Sequence, residues 1–405
     1  MQDTKPRWFR LTMFGMLYFV QGSALAYFRN YNKPYLNSVG IDVDTIGVLT
    51  TILLLPFIIK IFIGMLSDQV SLFGMGHRKP YMILGLALAA AAFGLVAFVL
   101  PDTNFPLFAA LTVLGSFSVT IFDSTTDGLA IDCTPPEDHG TVQGIMTGGR
   151  AVGIIVLSTL FGYLVESQGY RIVFLIIAGS MLLPLIWVVQ VKEPEHRPEH
   201  RKFEWKAFGA LGKPRFLLFA AYAIFYSIAS FGVDGLVTLY MSSAFNASDQ
   251  AIGYYGSLRG VGAVIGALAA GFIFDRIGRK VSAFGALALI SIGGILIGLA
   301  AGIPMLLVMG VVWGIVWGFQ ETIFVSLAMD LSDHRIAASM FAIMMAISNI
   351  GTAIGEGVAT GLTDNIGFAA VFIGLAVINV INVPILGRLF KIAPEINARS
   401  EPAES

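Results

Sequence analysis

Long apolar runs follow one another along this chain, and its polar residues gather in the short intervals between them. A helix that crosses a bilayer needs about 20 predominantly apolar residues. The pattern predicts twelve such helices, over residues 8–29, 44–67, 80–100, 106–131, 140–165, 169–191, 215–243, 250–274, 281–301, 304–328, 336–361 and 367–390. The interval 192–214, KEPEHRPEHRKFEWKAFGALGKP, is dense in charge and proline and cannot sit in lipid. It divides the runs into two sets of six and leaves room for a short interfacial helix over 203–211. The first run starts near Phe9 and lacks a small-residue cleavage site of the usual kind, so it predicts a membrane helix and not a removable signal. The expected organisation is an N-terminal bundle over 1–191, a linker over 192–214, a C-terminal bundle over 215–391 and a tail over 392–405.

Polar positions recur between the two sets. Asp123 returns as Glu321, Asp132 as Asp330 and Gly153 as Gly351, each 198 residues later. Gly64-Met-Leu-Ser-Asp68 returns as Gly271-Phe-Ile-Phe-Asp275 at an offset of 207, and Arg78-Lys79 as Arg279-Lys280 at 201. Repeats within an apolar chain point to duplicated membrane halves with a site at their interface, the plan of a secondary transporter.

Composition narrows the field. The 405 residues are 56% hydrophobic and 13% charged, against about 25% charge in a soluble protein. A net charge of −1 leaves no basic footprint for nucleic acid. Cys133 is the single cysteine, which excludes an intrachain disulfide and a cysteine-based zinc site. His196 and His200 share a helical face but have no further soft ligand nearby, so no metal site is predicted and the pair reads as solvated linker. With the N-terminus inside, 19 of the 25 Lys and Arg fall in inner segments. Three (Arg29, Lys33, Arg171) fall outside, and Lys60, Arg150 and Arg259 lie within helices. That asymmetry predicts both termini in the cytoplasm.

The two inner loops carry the most specific signal. Gly64-x-x-x-Asp68 followed by Gly76-His77-Arg78-Lys79 joins the second and third helices, and Gly271-x-x-x-Asp275-Arg276-x-Gly278-Arg279-Lys280 joins the eighth and ninth. Glycine permits close helix packing, and aspartate can bind basic groups or a helix N-terminus. The arginines are expected to anchor the loop at the anionic leaflet. In this the chain resembles the major facilitator superfamily along all twelve runs. Leu55-Pro56-Phe57-Ile58-Ile59-Lys60 to Asp68, Phe73-Gly74-x-Gly76-His77-Arg78-Lys79-Pro80-Tyr81, Asp123-x-x-x-Asp127 and Gly149-Arg150-Ala151-Val152-Gly153 are similar to two of its branches. These are the AmpG-type permeases with the acetyl-coenzyme A transporters, and the folate–biopterin transporters. The resemblance implies a central cavity bounded by helices one, four, seven and ten, which carry Asp123, Asp127, Asp234 and Glu321.

A charge within a membrane helix costs several kcal/mol (~2.5–3.5 on insertion scales), so each is expected to face a partner or water. Asp123 and Asp127 are one turn apart and share a face. Asp123 and Arg150 lie at matched depths on consecutive helices, which predicts a pair, and Lys60 reaches a similar depth. Asp234 and Arg259, with Glu356, form a second expected cluster nearer the outside. Glu321 has no cation at its depth in its own half, which makes it the first candidate for proton coupling, ahead of Asp123, Asp127 and Asp234. Gln21, Tyr27, Tyr226, Tyr240, Trp313, Trp317 and Asn349 are candidates to line the cavity.

The sequence therefore predicts an all-α membrane protein of two pseudo-symmetric six-helix bundles, in a bacterial inner membrane. It predicts a monomeric secondary transporter for a polar, charged or zwitterionic solute, coupled to protons. No cofactor, enzymatic centre or nucleotide-binding loop is expected. An uncoupled facilitator and a non-transporting membrane assembly or delivery factor are the alternatives.

Overall fold

The computed structural model of the chain describes residues 6–72, 74–134, 138–193, 205–210, 212–331 and 337–397, and among these there is no strand. The helices are α1 (Arg7–Asn30), α2 (Asn32–Ser38), α3 (Val43–Gln69), α4 (Lys79–Val96), α5 (Phe105–Cys133), α6 (His139–Gln168), α7 (Tyr170–Leu182) and α8 (Leu185–Val188). They continue as α9 (Lys206–Ala210), α10 (Pro214–Phe245), α11 (Asp249–Ile277), α12 (Arg279–Gly298), α13 (Ile303–Leu331), α14 (Ala337–Ile366), α15 (Phe368–Val380) and α16 (Asn382–Ile392). Among the described residues, eleven segments are long and apolar enough to cross a membrane, with α7–α8 and α15–α16 each acting as one. The helix α11 falls where the remaining run, 250–274, is expected. His196 and His200 lie outside the described residues.

The chain forms two units, one of residues 1–202 with 238–257, the other of 203–237 with 258–405. In the first, α1 packs along α6 because both helices present glycine. A Cβ at Gly22 would come within 2.5 Å of the Arg150 carbonyl oxygen, and one at Gly149 would collide with the carbonyl of Gly15. The segment 238–257 belongs to this unit. The Tyr31 hydroxyl donates to the Ser158 carbonyl at 2.5 Å, the Thr159 and Ser257 hydroxyls are 2.7 Å apart, and Tyr170 donates to Asp249.

In the second unit the same device recurs. A Cβ at Gly351 or Gly355 would come within 2.5 Å of the carbonyls of Ile224 and Ile228, which presses α14 onto α10. On α11 and α13, Gly262 and Gly266 face the backbone of Val311 and Ile315, while Gly314 and Gly318 face that of Arg259 and Ala263. Four interleaved glycines leave no room for side chains between these two helices, the small-residue packing expected in lipid.

The loop between α3 and α4 corrects one expectation. Arg78 does not reach for a lipid headgroup; it is buried at 7% exposure. Its Nη1 donates to the Gly64 carbonyl (3.1 Å) and the Ser67 hydroxyl (2.5 Å), and its Nε is 3.5 Å from Asp132. The guanidinium fits because Gly128 has no side chain: a Cβ there would collide with it. The Glu193 carboxylate accepts from the backbone amides of His77 (2.8 Å), Arg78 (2.7 Å) and Lys79, and so caps α4 at its positive end. Lys79 Nζ donates to the carbonyls of Val189 and Val191, at 2.6 and 3.1 Å. In the second unit Arg279 donates to Asp330, the repeat of the Arg78–Asp132 pair. Arg276 and Lys280 are exposed, and Gly278 takes φ +89°, a conformation that favours glycine. The side chains of Asp68 and Asp275, and Gly271, lie outside the described set.

Gly266→Val drives a side chain into the Ile315 backbone and is expected to cost about 1–3 kcal/mol or more. Gly285→Ala on α12 meets nothing within 4 Å and should stay within about 0.5 kcal/mol of the parent. Thermal midpoints in detergent check both, and equal midpoints would refute the packing argument.

Candidate functional site

Intramembrane charges of opposite sign meet in each unit. In the first unit the cluster draws on four helices: Tyr18 and Gln21 from α1, Lys60 from α3, Asp123 and Asp127 from α5, and Arg150 from α6. Gly22 brings the Arg150 backbone against α1, which puts the guanidinium beside Gln21 and Tyr18. Arg150 Nε donates to Gln21 Oε1 at 2.8 Å, and its guanidinium carbon lies 4.6 Å from the centre of the Tyr18 ring, a cation–π distance.

Asp123 is enclosed, with 3% side-chain exposure. The expected Asp123–Arg150 pair is present but loose, at 3.7 Å, and the nearer cation is Lys60, whose Nζ donates to Asp123 Oδ2 at 3.2 Å. The other oxygen, Oδ1, is buried with no hydrogen-bond partner. Asp127, one turn on, is 39% exposed, lies 3.5 Å from Lys60 and accepts a hydrogen bond from the Tyr18 hydroxyl. Two cations and two carboxylates balance, so the cluster avoids an uncompensated buried charge.

The second unit is built differently. Arg259 grips Asp234 with two parallel bonds, Nε to Oδ1 and Nη2 to Oδ2, both 2.6 Å. Trp313 Nε1 donates to the same Oδ1 at 2.9 Å, and Arg259 lies 4.5 Å from the Trp317 ring centre. Both ionised side chains are below 10% exposure, at 6% and 8%. The expected Asp234–Arg259 pair is thus a closed, bidentate one. Glu321 accepts a hydrogen bond from the Tyr226 hydroxyl. Beside it Gln320 donates to the Tyr222 hydroxyl at 2.7 Å, and Tyr222, Tyr226 and Phe324 pack as one aromatic group.

The remaining candidates lie elsewhere. Tyr27 is fully buried, donates to Asn32 at 3.1 Å and packs on Phe174, outside both clusters. Glu356 and Asn349 are half-buried on α14, and Tyr240 is buried near the end of α10. Sequence reasoning missed Tyr18, Tyr222 and Gln320. The repeat held the available signal for Tyr18, because Tyr18 and Tyr226 stand 208 residues apart, close to the offset of 207 between the Gly64 and Gly271 motifs.

The sequence pattern of the Major Facilitator Superfamily matches this chain twice, over residues 9–240 and 223–405. The chain belongs to that superfamily. It is 31% identical over 214 residues to the folate-biopterin transporter of Synechocystis sp., a match that covers 50% of this chain and 42% of that protein. It is 23% identical over 354 residues to the anhydromuropeptide permease of Escherichia coli K12, covering 83% and 70%. The chain thus aligns with less than half of the cyanobacterial transporter's own length. Among solved structures, a bacterial homologue of the human lysosomal transporter Spinster superposes with a TM-score of 0.78 at 16% identity, over 98% of this chain and 100% of the other. At that identity the likeness shows the fold. Membership of that superfamily and the many apolar helices make the chain an integral, multi-pass membrane protein.

A double-mutant cycle checks the ranking of partners around Asp123. Asp123→Asn with Lys60→Gln should give a coupling of about 0.5–3 kcal/mol in unfolding free energy. Asp123→Asn with Arg150→Gln should couple more weakly, and a larger value for Arg150 would reverse the assignment.

Proposed function

We propose that this chain is a proton-coupled secondary transporter working by alternating access. In this reading α11 is the twelfth span, so that two six-helix bundles lie within 1–191 and 215–391, joined by a cytoplasmic linker over 192–214. Both termini face the cytoplasm of a bacterial inner membrane, as the 19-to-3 distribution of Lys and Arg supports. The solute is small, polar and organic, carrying charge. Relatives named for folate, biopterin and anhydromuropeptides support that class.

The observation that carries the reading is a repeated pairing. In each unit a phenol on the first long helix donates to a carboxylate on the fourth, Tyr18 to Asp127 and Tyr226 to Glu321. A phenol is a neutral group that can bond a carboxylate oxygen in either of its charge states. Asp127 and Glu321 are therefore the groups suited to gain and lose a proton during transport, and Glu321 is assigned the gradient-driven step.

The test begins with a thermal-shift screen of the purified protein against metabolites, since a ligand of the folded state raises the midpoint by mass action. The hit is then followed in reconstituted vesicles. Wild type should accumulate it down an imposed proton gradient. Glu321→Gln should lose accumulation while counterflow exchange survives. Accumulation at wild-type levels in that variant would remove Glu321 from the mechanism. Equal flux with the gradient collapsed would make the protein a facilitator, and a stable large partner with no flux would make it an assembly factor.

A further inference from the structure

The first cluster shows a charged surface of one particular composition. Three of its side chains reach open space, Lys60 at 33%, Arg150 at 39% and Asp127 at 39% exposure, while Asp123 beneath them is closed at 3%. The two cations are anchored from below. Lys60 is held by Asp123, and Arg150 by Gln21, which takes only its Nε hydrogen. The Nη2 end is 3.7 Å from Asp123, outside hydrogen-bond reach. Asp127 is the one exposed carboxylate on this surface. It lies 3.5 Å from Lys60 and is tethered by the Tyr18 hydroxyl.

We propose that Lys60 and Arg150 form a subsite for a carboxylate group of the transported solute, and that Asp127 fills that place when no solute is bound. The inference rests on the transporter reading above and adds the chemistry of the solute. A planar guanidinium edge beside an ammonium matches the two oxygens of a carboxylate. Charge settles the rest. The solute-free cluster is neutral, so an entering carboxylate brings one negative charge that has no counter-charge. Such an excess is costly in this setting. It is removed when Asp127 releases Lys60 and takes a proton from solution onto a carboxylate oxygen. No other bond forms or breaks, and one proton enters with each carboxylate. A phosphate dianion would leave a further negative charge unbalanced, which favours the carboxylate.

Benzoate, benzamide and phenyl phosphate separate the outcomes on the full-length protein in detergent. Benzoate should raise the thermal midpoint and draw protons from weakly buffered solution, read with a pH dye, while benzamide does neither. Lys60→Gln and Arg150→Gln should abolish the benzoate shift. Lys60→Arg and Arg150→Lys, which keep the charge, should retain part of it and so guard against misfolding as the cause. Asp127→Asn should still bind benzoate but take up no proton. The proposal is overturned if no benzoate shift occurs, if the shift survives in both glutamine variants, or if proton uptake survives in Asp127→Asn. Equal stabilisation by phenyl phosphate also overturns it. These results are independent of solute flux: flux with no carboxylate binding sinks this subsite alone, and absence of flux in wild type sinks the transporter reading.

Discussion

A charged group in a bilayer must be neutralised or hydrated, and the architecture around six intramembrane charges of this chain follows from that. Lys60, Asp123, Asp127 and Arg150 would each be expensive alone on a lipid-facing helix. Together, in one unit, they form a neutral set in which each ion lies within 4 Å of an opposite charge. Asp234 and Arg259 meet the same requirement in a different way, by two short bonds and a tryptophan donor. The first arrangement leaves surface open; the second closes it.

Ion pairs of this kind need helices closer than ordinary side chains allow, and glycine supplies the approach. Both intramembrane arginines of these clusters sit where their own carbonyl presses on a glycine of the adjacent helix, Gly22 for Arg150 and Gly314 for Arg259. Removing the Cβ at the contact sets the arginine's backbone against the helix that carries its aromatic neighbour, Tyr18 in one case and Trp317 in the other. The many glycines of the chain are thus part of how its charges are placed. The Arg78 guanidinium, lying against Gly128, is the same solution at the end of a helix.

The membrane helices were legible in the sequence because apolar length alone decides them. The repeat was legible because charge is rare enough for Asp123, Glu321, Asp132 and Asp330 to stand out. Pairings were legible only as depth along a helix. Depth brought Asp123 and Arg150 together but did not rank Lys60 ahead of Arg150, since that order depends on side-chain reach across α3 and α5. Arg78 read as a headgroup anchor because a basic loop residue ordinarily is one. Its inward turn depends on the absence of a side chain at Gly128, 50 residues away. Tyr18 went unseen because its donation to Asp127 is a property of two packed helices.

The two units share their phenol–carboxylate pair but differ in what surrounds it. Around Asp127 are two cations and an exposed edge; around Glu321 are Tyr222, Tyr226 and Phe324, an aromatic wall with Gln320 bonded into it. A carboxylate beside cations is suited to exchange with another anion, because the cations hold either one. A carboxylate held by a phenol among aromatic rings has a neutral partner that can stay with it as a proton comes and goes. One geometry thus recurs in the two units with different neighbours around it. In the proposed mechanism that division gives one group that answers to the solute and another that answers to the gradient.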